Sequence, residues 1–181
     1  MTTTILIHPG LFNSGEGHWQ TVWEDMLPNA HRVQQRDWDA PGRDEWINTL
    51  DTAIASAQGQ VVIAAHSLGC ATTAWWATTH AHRPHFAKVK GALLVAPPDV
   101  ERESAPEPVK GFAPMPRIRL PFKSLVVASS DDPWCELAKA REWAAAWGAE
   151  FHDIGARGHI NSESGLGNWP QGRDWLYSLV G

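Results

Sequence analysis

The segment Ala65-His66-Ser67-Leu68-Gly69 places a serine where it could act as a nucleophile. It overlaps the end of the apolar run Val61–Ala65 and is followed by small residues at positions 70–72. A serine between a strand and a helix, with small residues two positions before and after it, is typical of a nucleophile elbow. Glycine is usual at the first of these positions, and Ala65 stands there. A helix N-cap is the alternative role for Ser67, but the flanking elements favour the nucleophile.

Two later turns carry the partners that such a serine needs. A hydroxyl is a weak nucleophile at neutral pH, so a histidine must take its proton and an acid must orient that histidine. Ser129–Pro133 follows the apolar run Leu125–Ala128, and the glycine-flanked His159 follows the run Glu150–Ile154. The order serine, acid, histidine is the one that accompanies the elbow motif. We therefore predict His159 as the general base.

Two neighbouring residues, Asp131 and Asp132, compete for the role of the acid. Adjacent residues at the end of a strand point in different directions, so only one of them can face His159. The residue pattern leaves the choice between them open. The aspartate that does not face His159 is expected to cap a turn or a helix.

The tetrahedral intermediate of acyl transfer carries an oxyanion that needs two N–H donors, each worth about 2.7 to 4 kcal/mol. The elbow motif supplies one donor, the backbone N–H of Leu68. The other should come from the loop His8–Gly15 after the first apolar run. Pro9 has no N–H, so Leu11 is the predicted second donor and Phe12 is the alternative. A glycine-rich turn without a catalytic role is the competing interpretation of this loop.

Short β-rich runs alternate with segments of helical length along the chain. The runs are Thr3–His8, Arg32–Gln35, Val61–Ala65, Ala92–Val95, Leu125–Ala128 and Glu150–Ile154. The predicted helices are Asp44–Ala57, Leu68–His82, Glu136–Trp147 and Gln171–Leu179. This alternation predicts an α/β fold with a mostly parallel sheet of about six strands and helices on both faces. If the first and third strands are neighbours, the crevice at their carboxyl ends is the expected ligand site.

The segment Pro97–Pro121 interrupts the alternation, because it holds seven of the 13 prolines. Prolines this dense exclude a regular helix or a central strand. A loop of this length inside a compact domain is often functional, so the segment is predicted to form a lid or a pocket wall. A surface excursion without a role is the alternative.

The sequence is rich in tryptophan, with 11 residues. A bulky core is the commoner use of so many large apolar rings, but several of them lie beside the motifs above. The candidate substrate-pocket residues are Phe12, Trp38, Trp134 and Trp169.

Composition and charge bound the classes of function. The 181 residues, 43% of them hydrophobic, suffice for one continuous core, so a single domain over residues 1–181 is expected. The net charge of -5 provides no basic stripe for a phosphate backbone, which argues against a nucleic-acid partner. The sequence shows neither a signal-peptide pattern nor an apolar run long enough to span a bilayer. A cytoplasmic protein without a membrane partner is therefore expected.

His80, His82 and His85 superficially suggest a metal site. No carboxylate lies within this cluster and a proline ends the helix there, so a solvated helix end is predicted instead. Cys70 and Cys135 are predicted to be buried thiols. The sequence therefore predicts no metal and no cofactor.

The motifs together resemble a known family, the small serine hydrolases related to retinoblastoma-binding protein 9 and the bacterial YdeN-type proteins. The resemblance spans nearly the whole chain. It rests on Pro9-Gly10, Gly17-His18-Trp19, Gln35–Trp38, Ala65–Gly69, Gly91–Pro97, Gly111–Pro114, Leu120–Phe122, Asp132-Pro133, Gly158–Asn161, Gly165–Gly167 and Trp169-Pro170. So long a set of motifs is more specific than any one of them.

The resemblance implies a compact three-layer α/β-hydrolase fold without a large cap domain. It also implies a triad of Ser67, Asp132 and His159, and so chooses between the two aspartates. The substrates of the family are not well defined. The resulting hypothesis is a hydrolase of esterase type that acts on small ester-like molecules through an acyl-enzyme. The alternatives are an amide or thioester hydrolase, and an interaction protein that keeps the fold and the triad without turnover.

Overall fold

The computed structural model describes residues 2–181, so Met1, at which the predicted single domain begins, lies outside the described residues. The strands are β1 (Thr3–His8), β2 (Ala30–Arg32), β3 (Gln60–His66), β4 (Val89–Val95), β5 (Lys123–Ala128) and β6 (Glu150–Asp153). Across the described residues they form one six-stranded sheet in the order β2-β1-β3-β4-β5-β6. All neighbouring strands are parallel, and β1 lies beside β3, which meets the condition under which the crevice at their carboxyl ends is the expected ligand site.

The helices are α1 (Trp19–Met26), α2 (Arg43–Ser56), α3 (Leu68–Thr79), α4 (Leu137–Trp147) and α5 (Pro170–Ser178). α2, α3 and α4 pack on one face of the sheet, and α1 and α5 pack on the other. This three-layer arrangement confirms the predicted α/β fold. The helices within residues 2–181 are all too short or too polar to cross a membrane.

The two cores follow from the alternation of side chains along each strand. In β3, Ile63 and Ala65 pack with the core that contains α2, α3 and α4, whereas Val62 and Ala64 pack with the core that contains α1 and α5. A parallel strand that is buried on both faces needs apolar residues at every position, which explains the continuous apolar run at 61–65.

Tryptophan fills much of both cores. Six of these side chains are almost completely buried, namely Trp19, Trp23, Trp46, Trp76, Trp143 and Trp147. Burying one such ring contributes roughly 4 to 6 kcal/mol of hydrophobic free energy before the entropy of ordering it is subtracted. The core therefore accounts for most of the unusual tryptophan content.

Two elements near the amino terminus differ from the sequence prediction. β2 lies at Ala30–Arg32 instead of Arg32–Gln35, because the buried Gln35 turns away and its amide donates to the carbonyl of Trp46 at 3.3 Å. The sequence analysis does not predict α1. Its N-cap is His18, whose Nδ1 accepts the Gln20 N–H at 3.1 Å, and histidine is not among the residues that usually signal a helix start.

The strand register brings the catalytic candidates to one edge of the sheet. At the carboxyl ends of their strands, His8 pairs with Ala65 and His66 pairs with Val95. Since β5 and β6 are parallel to these strands, the loops that follow β1, β3, β5 and β6 meet at the same edge. These are the loops in which the sequence analysis places the nucleophile, the acid, the base and the oxyanion donors.

Candidate active site

Ser67 lies at the turn between β3 and α3 in a strained backbone conformation, with φ of 53° and ψ of -121°. Such a conformation costs about 1 to 3 kcal/mol in a residue other than glycine, and surrounding contacts must hold it. One of these is the Ser67 N–H, which donates to the carbonyl of Val95 at 2.9 Å. A methyl group at Gly69 would collide with the carbonyl oxygen of His8, so only glycine lets α3 approach β1 this closely.

The structure brings Ser67, His159 and Asp132 into one hydrogen-bonded chain. His159 Nε2 lies 2.8 Å from Ser67 Oγ, and His159 Nδ1 lies 2.9 Å and 3.0 Å from the two carboxylate oxygens of Asp132. An ionised carboxylate only accepts hydrogen bonds, so Nδ1 carries the proton and Nε2 is free to accept the serine hydroxyl. The side chain of His159 is 12% exposed and that of Asp132 is 3% exposed, so substrate can reach the base while the acid is shielded.

Asp131 faces away from the base and has a different set of partners. Its Oδ1 accepts the Ser129 hydroxyl at 2.8 Å and the Gly158 N–H at 2.7 Å. The hydrogen bond from Ser129, and then the one from Gly158, hold the pKa of the Asp131 carboxyl below its usual range. Asp131 therefore ties the loop after β5 to the loop that carries His159, whereas the N–H of the local turn, that of Trp134, donates to Asp132 instead.

Two further side chains hold the backbone of the histidine loop. His66 Nε2 donates to the carbonyl of His159 at 2.8 Å, and Trp19 Nε1 donates to the carbonyl of Ile160 at 3.0 Å. Ile160 has φ of 50°, so these donors stabilise a locally strained loop. Neither His66 nor Trp19 is predicted from the sequence to act at the site, because each lies far from the histidine loop along the chain and no local pattern indicates these hydrogen bonds.

The hydrogen-bonding pattern distinguishes the two candidates for the second oxyanion donor. The Phe12 N–H donates to the carbonyl of Trp38 at 2.9 Å, so it is already engaged. The N–H of Leu11 has no acceptor among the described residues. A methyl group at Gly10 would lie 2.9 Å from the backbone nitrogen of Leu68, which shows how closely this loop approaches the elbow. Leu11 and Leu68 remain the candidate donors.

A cavity of about 610 Å³ opens in front of Ser67. Phe12 and Trp134 line it, as the sequence analysis expects, and are 66% and 40% exposed. Its other lining residues are Leu11, Asn13, Gly15, His18, His66, Pro98, Asp99, Arg102, Pro106, Pro108, Val109, His159, Asn161, Ser162 and Glu163. Most of the surface that these residues expose to the cavity is apolar, although several of them carry polar or charged groups.

The other two predicted pocket residues lie elsewhere, which corrects the expectation that all four share one pocket. Trp38 packs edge-on against Trp46, with ring centres 5.6 Å apart, at the core beneath α2. Trp169 is buried against Trp19 at 5.2 Å in the core on the opposite face of the sheet. Both follow strands in the sequence, but packing between layers turns their rings away from the cavity.

The proline-rich segment Pro97–Pro121 forms one side of the cavity. It contains a short 3-10 helix, Glu107–Phe112, and the carbonyl of Phe112 accepts the Trp75 Nε1–H at 2.8 Å. Val109 and Phe112 are buried in the core that contains α3. These contacts fasten the segment to the body of the fold as a wall, and movement as a lid stays a prediction.

The histidine cluster beyond α3 gains a carboxylate from another helix. α3 ends at Thr79, before the predicted His82, and His85 Nε2 lies 2.7 Å from Asp51 Oδ1 on α2. The same oxygen accepts the Trp76 Nε1–H at 2.9 Å. The prediction of a solvated helix end is therefore wrong for His85, because a partner distant in sequence holds its ring.

Burial keeps three histidines near the site neutral. Burial lowers the pKa of His8 to about 4 and the pKa of His18 to about 3. Burial also lowers the pKa of His66 well below its ordinary value of 6.5. At neutral pH none of these rings therefore adds a positive charge beside His159.

The free energy of unfolding is expected to fall as the pH is lowered from 7 to 5. In the unfolded chain these histidines regain a pKa near 6.5, so below that pH the unfolded state binds more protons than the native state. Stability is therefore greatest above pH 6.5 and declines toward the lowered native pKa values. A single histidine held neutral contributes up to about 2 kcal/mol of this decline between pH 7 and pH 5.

Urea denaturation of the wild type and of His8→Gln at both pH values measures this effect. The variant should lose less stability on acidification than the wild type does. His31→Gln is the matched control, because His31 is exposed, and its pH dependence should equal that of the wild type. An unchanged pH dependence in His8→Gln would contradict the role of the buried ring.

Comparisons with known proteins give a consistent set of relatives. The serine hydrolase family model matches residues 5–178. A YdeN-like hydrolase of Pectobacterium atrosepticum has a similar structure, with a TM-score of 0.84 and 29% identity over 98% of this chain and 90% of that one. The ydeN gene product of B. subtilis gives a TM-score of 0.79 and 19% identity over 99% of each chain. A hydrolase of the α/β superfamily from Xanthomonas campestris gives 0.60 and 19% over 99% of each chain. None of the curated proteins matches the sequence.

Proposed function

We propose, given that this chain belongs to the serine hydrolase family, that it hydrolyses small carboxylic esters through an acyl-enzyme formed on Ser67. The observation that carries the proposal is the hydrogen-bonded chain from Ser67 through His159 to Asp132, which ends at the cavity. Nucleophile, base and orienting acid each have the partner that their role requires. The family membership supports hydrolysis, and the geometry supports these residues as its agents.

In the acylation step the Ser67 oxygen attacks the ester carbonyl carbon while His159 Nε2 takes the hydroxyl proton. The carbonyl π electrons move to oxygen, and the oxyanion accepts hydrogen bonds from the N–H groups of Leu68 and Leu11. Collapse of this intermediate breaks the bond to the alcohol oxygen. His159 gives that oxygen its proton, so a neutral alcohol leaves and the acyl group stays on Ser67.

In the deacylation step water takes the place of the alcohol. His159 removes one water proton as the water oxygen attacks the acyl carbon, and the same proton then returns to the Ser67 oxygen. Asp132 accepts a hydrogen bond from His159 Nδ1 throughout, which orients the ring and stabilises the imidazolium that forms twice per cycle. The Trp134 N–H donates to Asp132 Oδ1 at 2.9 Å and so helps to hold the carboxylate in place.

The cavity supports small, largely apolar substrates. Its volume of about 610 Å³ suits a small organic molecule, and its apolar walls favour acyl or alcohol groups of the same character. Thioesters and amides pass through the same intermediates, so substrate profiling must separate them from esters.

A fluorophosphonate probe tests the nucleophile. The probe should add once, at Ser67, since a serine hydroxyl that is paired with a base displaces fluoride from phosphorus. Mass spectrometry of peptides from the labelled protein should locate the adduct on the peptide that contains Ser67. Ser162→Ala is the matched control, because Ser162 lines the same cavity but is not hydrogen-bonded to His159. The probe should label this variant as it labels the wild type. Labelling that persists in Ser67→Ala would overturn the assignment.

A further inference from the structure

The wall of the cavity contributed by the proline-rich segment contains an arginine, Arg102, for which the proposed triad has no use. The lining from the same segment and from the loop after β5 is mainly apolar and includes Pro98, Pro106, Val109 and Trp134, with Asp99 as a further charged residue. A guanidinium group is always charged in proteins and needs hydrogen-bond acceptors for its donors. Its presence against apolar surface therefore requires an explanation.

Arg102 is held in one orientation but is only partly satisfied. One guanidinium nitrogen, Nη1, donates to the carbonyl of Pro133 at 2.7 Å, and the guanidinium carbon lies 5.4 Å from the ring centre of Trp134. Its Nε is buried without an acceptor in the described part of the chain. Burying an N–H without an acceptor costs about 1 to 3 kcal/mol, so the guanidinium group is held in this position at a cost to stability.

Five other arginines of this chain pair with carboxylates, whereas Arg102 has none within 4.0 Å among residues 2–181, as is also the case for Arg119, Arg141, Arg157 and Arg173. Arg32 pairs with Glu24 at 2.8 Å, and Arg117 pairs with Glu101 at 2.7 Å. The absence of a protein counter-ion leaves the charge of Arg102 available to a bound molecule.

Two carboxylates also line the cavity, and neither neutralises Arg102. Asp99 Oδ1 accepts the Glu101 N–H at 3.1 Å, so it stabilises the turn at the start of the segment. Glu163 is exposed and lies in the loop that follows His159. Arg102 is the one arginine among these lining residues, and its Nη2 group has no acceptor within residues 2–181, so this guanidinium donor remains for a bound anion.

We propose that the natural substrate carries a carboxylate, separated by an apolar spacer from the scissile carbonyl, and that Arg102 binds this carboxylate. The inference rests on the proposed esterase function and names its substrate class. Arg102 would act as a specificity residue: its hydrogen bonds to the substrate carboxylate anchor the far end of the molecule, while the apolar walls cover the spacer. Charge-assisted hydrogen bonds of this kind favour the charged substrate over a neutral isostere by about tenfold to a hundredfold.

The carboxylate could belong to the acyl half or to the alcohol half of the ester. Two pairs of substrates, one for each position, distinguish these alternatives. The first pair is the mononitrophenyl ester of adipic acid and the same ester with its free carboxylate replaced by a primary amide. Adipate is chosen because its chain is long enough to limit the intramolecular attack that makes succinate esters unstable. The second pair is the butyrate esters of hydroxybenzoate and of hydroxybenzamide. The expected result is a kcat/KM ratio of acid to amide of about ten to a hundred in at least one pair.

The variant Arg102→Gln should lower that ratio by about tenfold to a hundredfold in the pair that shows the preference. Arg141→Gln is the matched control, because it removes one positive charge from the exposed surface of α4 and should leave the ratio unchanged. High salt should also reduce the preference of the wild type, since it screens the charge.

The wild-type ratios keep the inference testable even if the variant does not fold. Ratios of one or below in both pairs would overturn it. An equal loss of kcat for acid and amide in Arg102→Gln would also overturn it, because that result indicates that Arg102 acts through Pro133 on the neighbouring Asp132. In either case, the proposed esterase function would stand if the protein hydrolyses the ester bond of the amide-bearing substrates and if this hydrolysis requires Ser67.

Discussion

Replacing Ser67 by alanine is expected to lower kcat for a short-chain nitrophenyl ester by about four to six orders of magnitude. The hydroxyl is the group on which the acyl-enzyme forms, and its partner His159 lies 2.8 Å away. Without the serine oxygen, water must attack the ester directly, and only binding and the oxyanion donors remain to assist it. The rate in a purified variant, measured against the uncatalysed rate in buffer, provides the test.

This substitution should have a small effect on folding. Alanine in the elbow has the same strain as serine at φ of 53°, and the main loss is the hydrogen bond to His159. Thermal unfolding therefore serves as the control, with the variant expected to melt close to the wild type. Turnover at the wild-type rate by folded Ser67→Ala would show that another residue is the nucleophile. If the wild type itself shows no turnover beyond that of the variant across an ester panel, an interaction protein that retains the triad becomes the better interpretation.

Replacing Asp132 by asparagine is expected to lower kcat by about 10⁴-fold. Both carboxylate oxygens of Asp132 lie within 3.0 Å of His159 Nδ1, so the carboxylate fixes the proton on that nitrogen. An amide can instead donate to Nδ1, which places the imidazole proton on Nε2. In that tautomer His159 cannot accept the proton of Ser67, although the geometry of the site is preserved.

The neighbouring substitution Asp131→Asn is the matched control for Asp132→Asn. It removes the same charge from the same turn, but Asp131 contacts Ser129 and Gly158 instead of the base. The amide oxygen of asparagine can still accept one of these hydrogen bonds, so kcat should fall by no more than about tenfold. Steady-state kinetics of the two variants, at a pH where the wild type is fully active, compares them directly. A larger loss in Asp131→Asn than in Asp132→Asn would exclude Asp132 as the acid.

The proposed mechanism depends on how firmly the histidine loop is held. Gly158, His159 and Ile160 each bond to a different part of the fold, through Asp131, His66 and Trp19. Because these partners are themselves buried or anchored, the imidazole already has its catalytic position before substrate binds, and binding does not have to order it. The tryptophan-rich core thus contributes to the site through Trp19, although the ring of Trp19 does not line the cavity.

Features that depend on neighbouring residues could be predicted from the sequence. The apolar runs identify the central strands because a strand buried on both faces has few alternatives to apolar residues. The elbow around Ser67 is recognisable because the close approach of α3 to β1 requires glycine at position 69. Right-handed crossovers limit the sheet orders to a few, and an order in which the first and third strands are neighbours places the site at the carboxyl edge.

Features that depend on residues distant in sequence required the tertiary structure. The residue pattern makes Asp131 and Asp132 equally good candidates for the acid that orients His159. At the level of sequence, only the resemblance to a family favours Asp132. Trp38 and Trp169 follow strands just as Trp134 does, yet packing between the layers turns the first two rings into the cores.

The sequence by itself therefore determined the fold class, the nucleophile candidate and its base, because each is encoded in a short segment whose neighbours along the chain restrict its conformation. Only the tertiary structure decided which aspartate contacts His159, that the N–H of Leu11 and not that of Phe12 lacks an acceptor among the described residues, and that Arg102 lines the same cavity as Ser67. These relations depend on the directions of side chains from separate loops. Such directions are set by the packing of the whole molecule, and no local pattern records them.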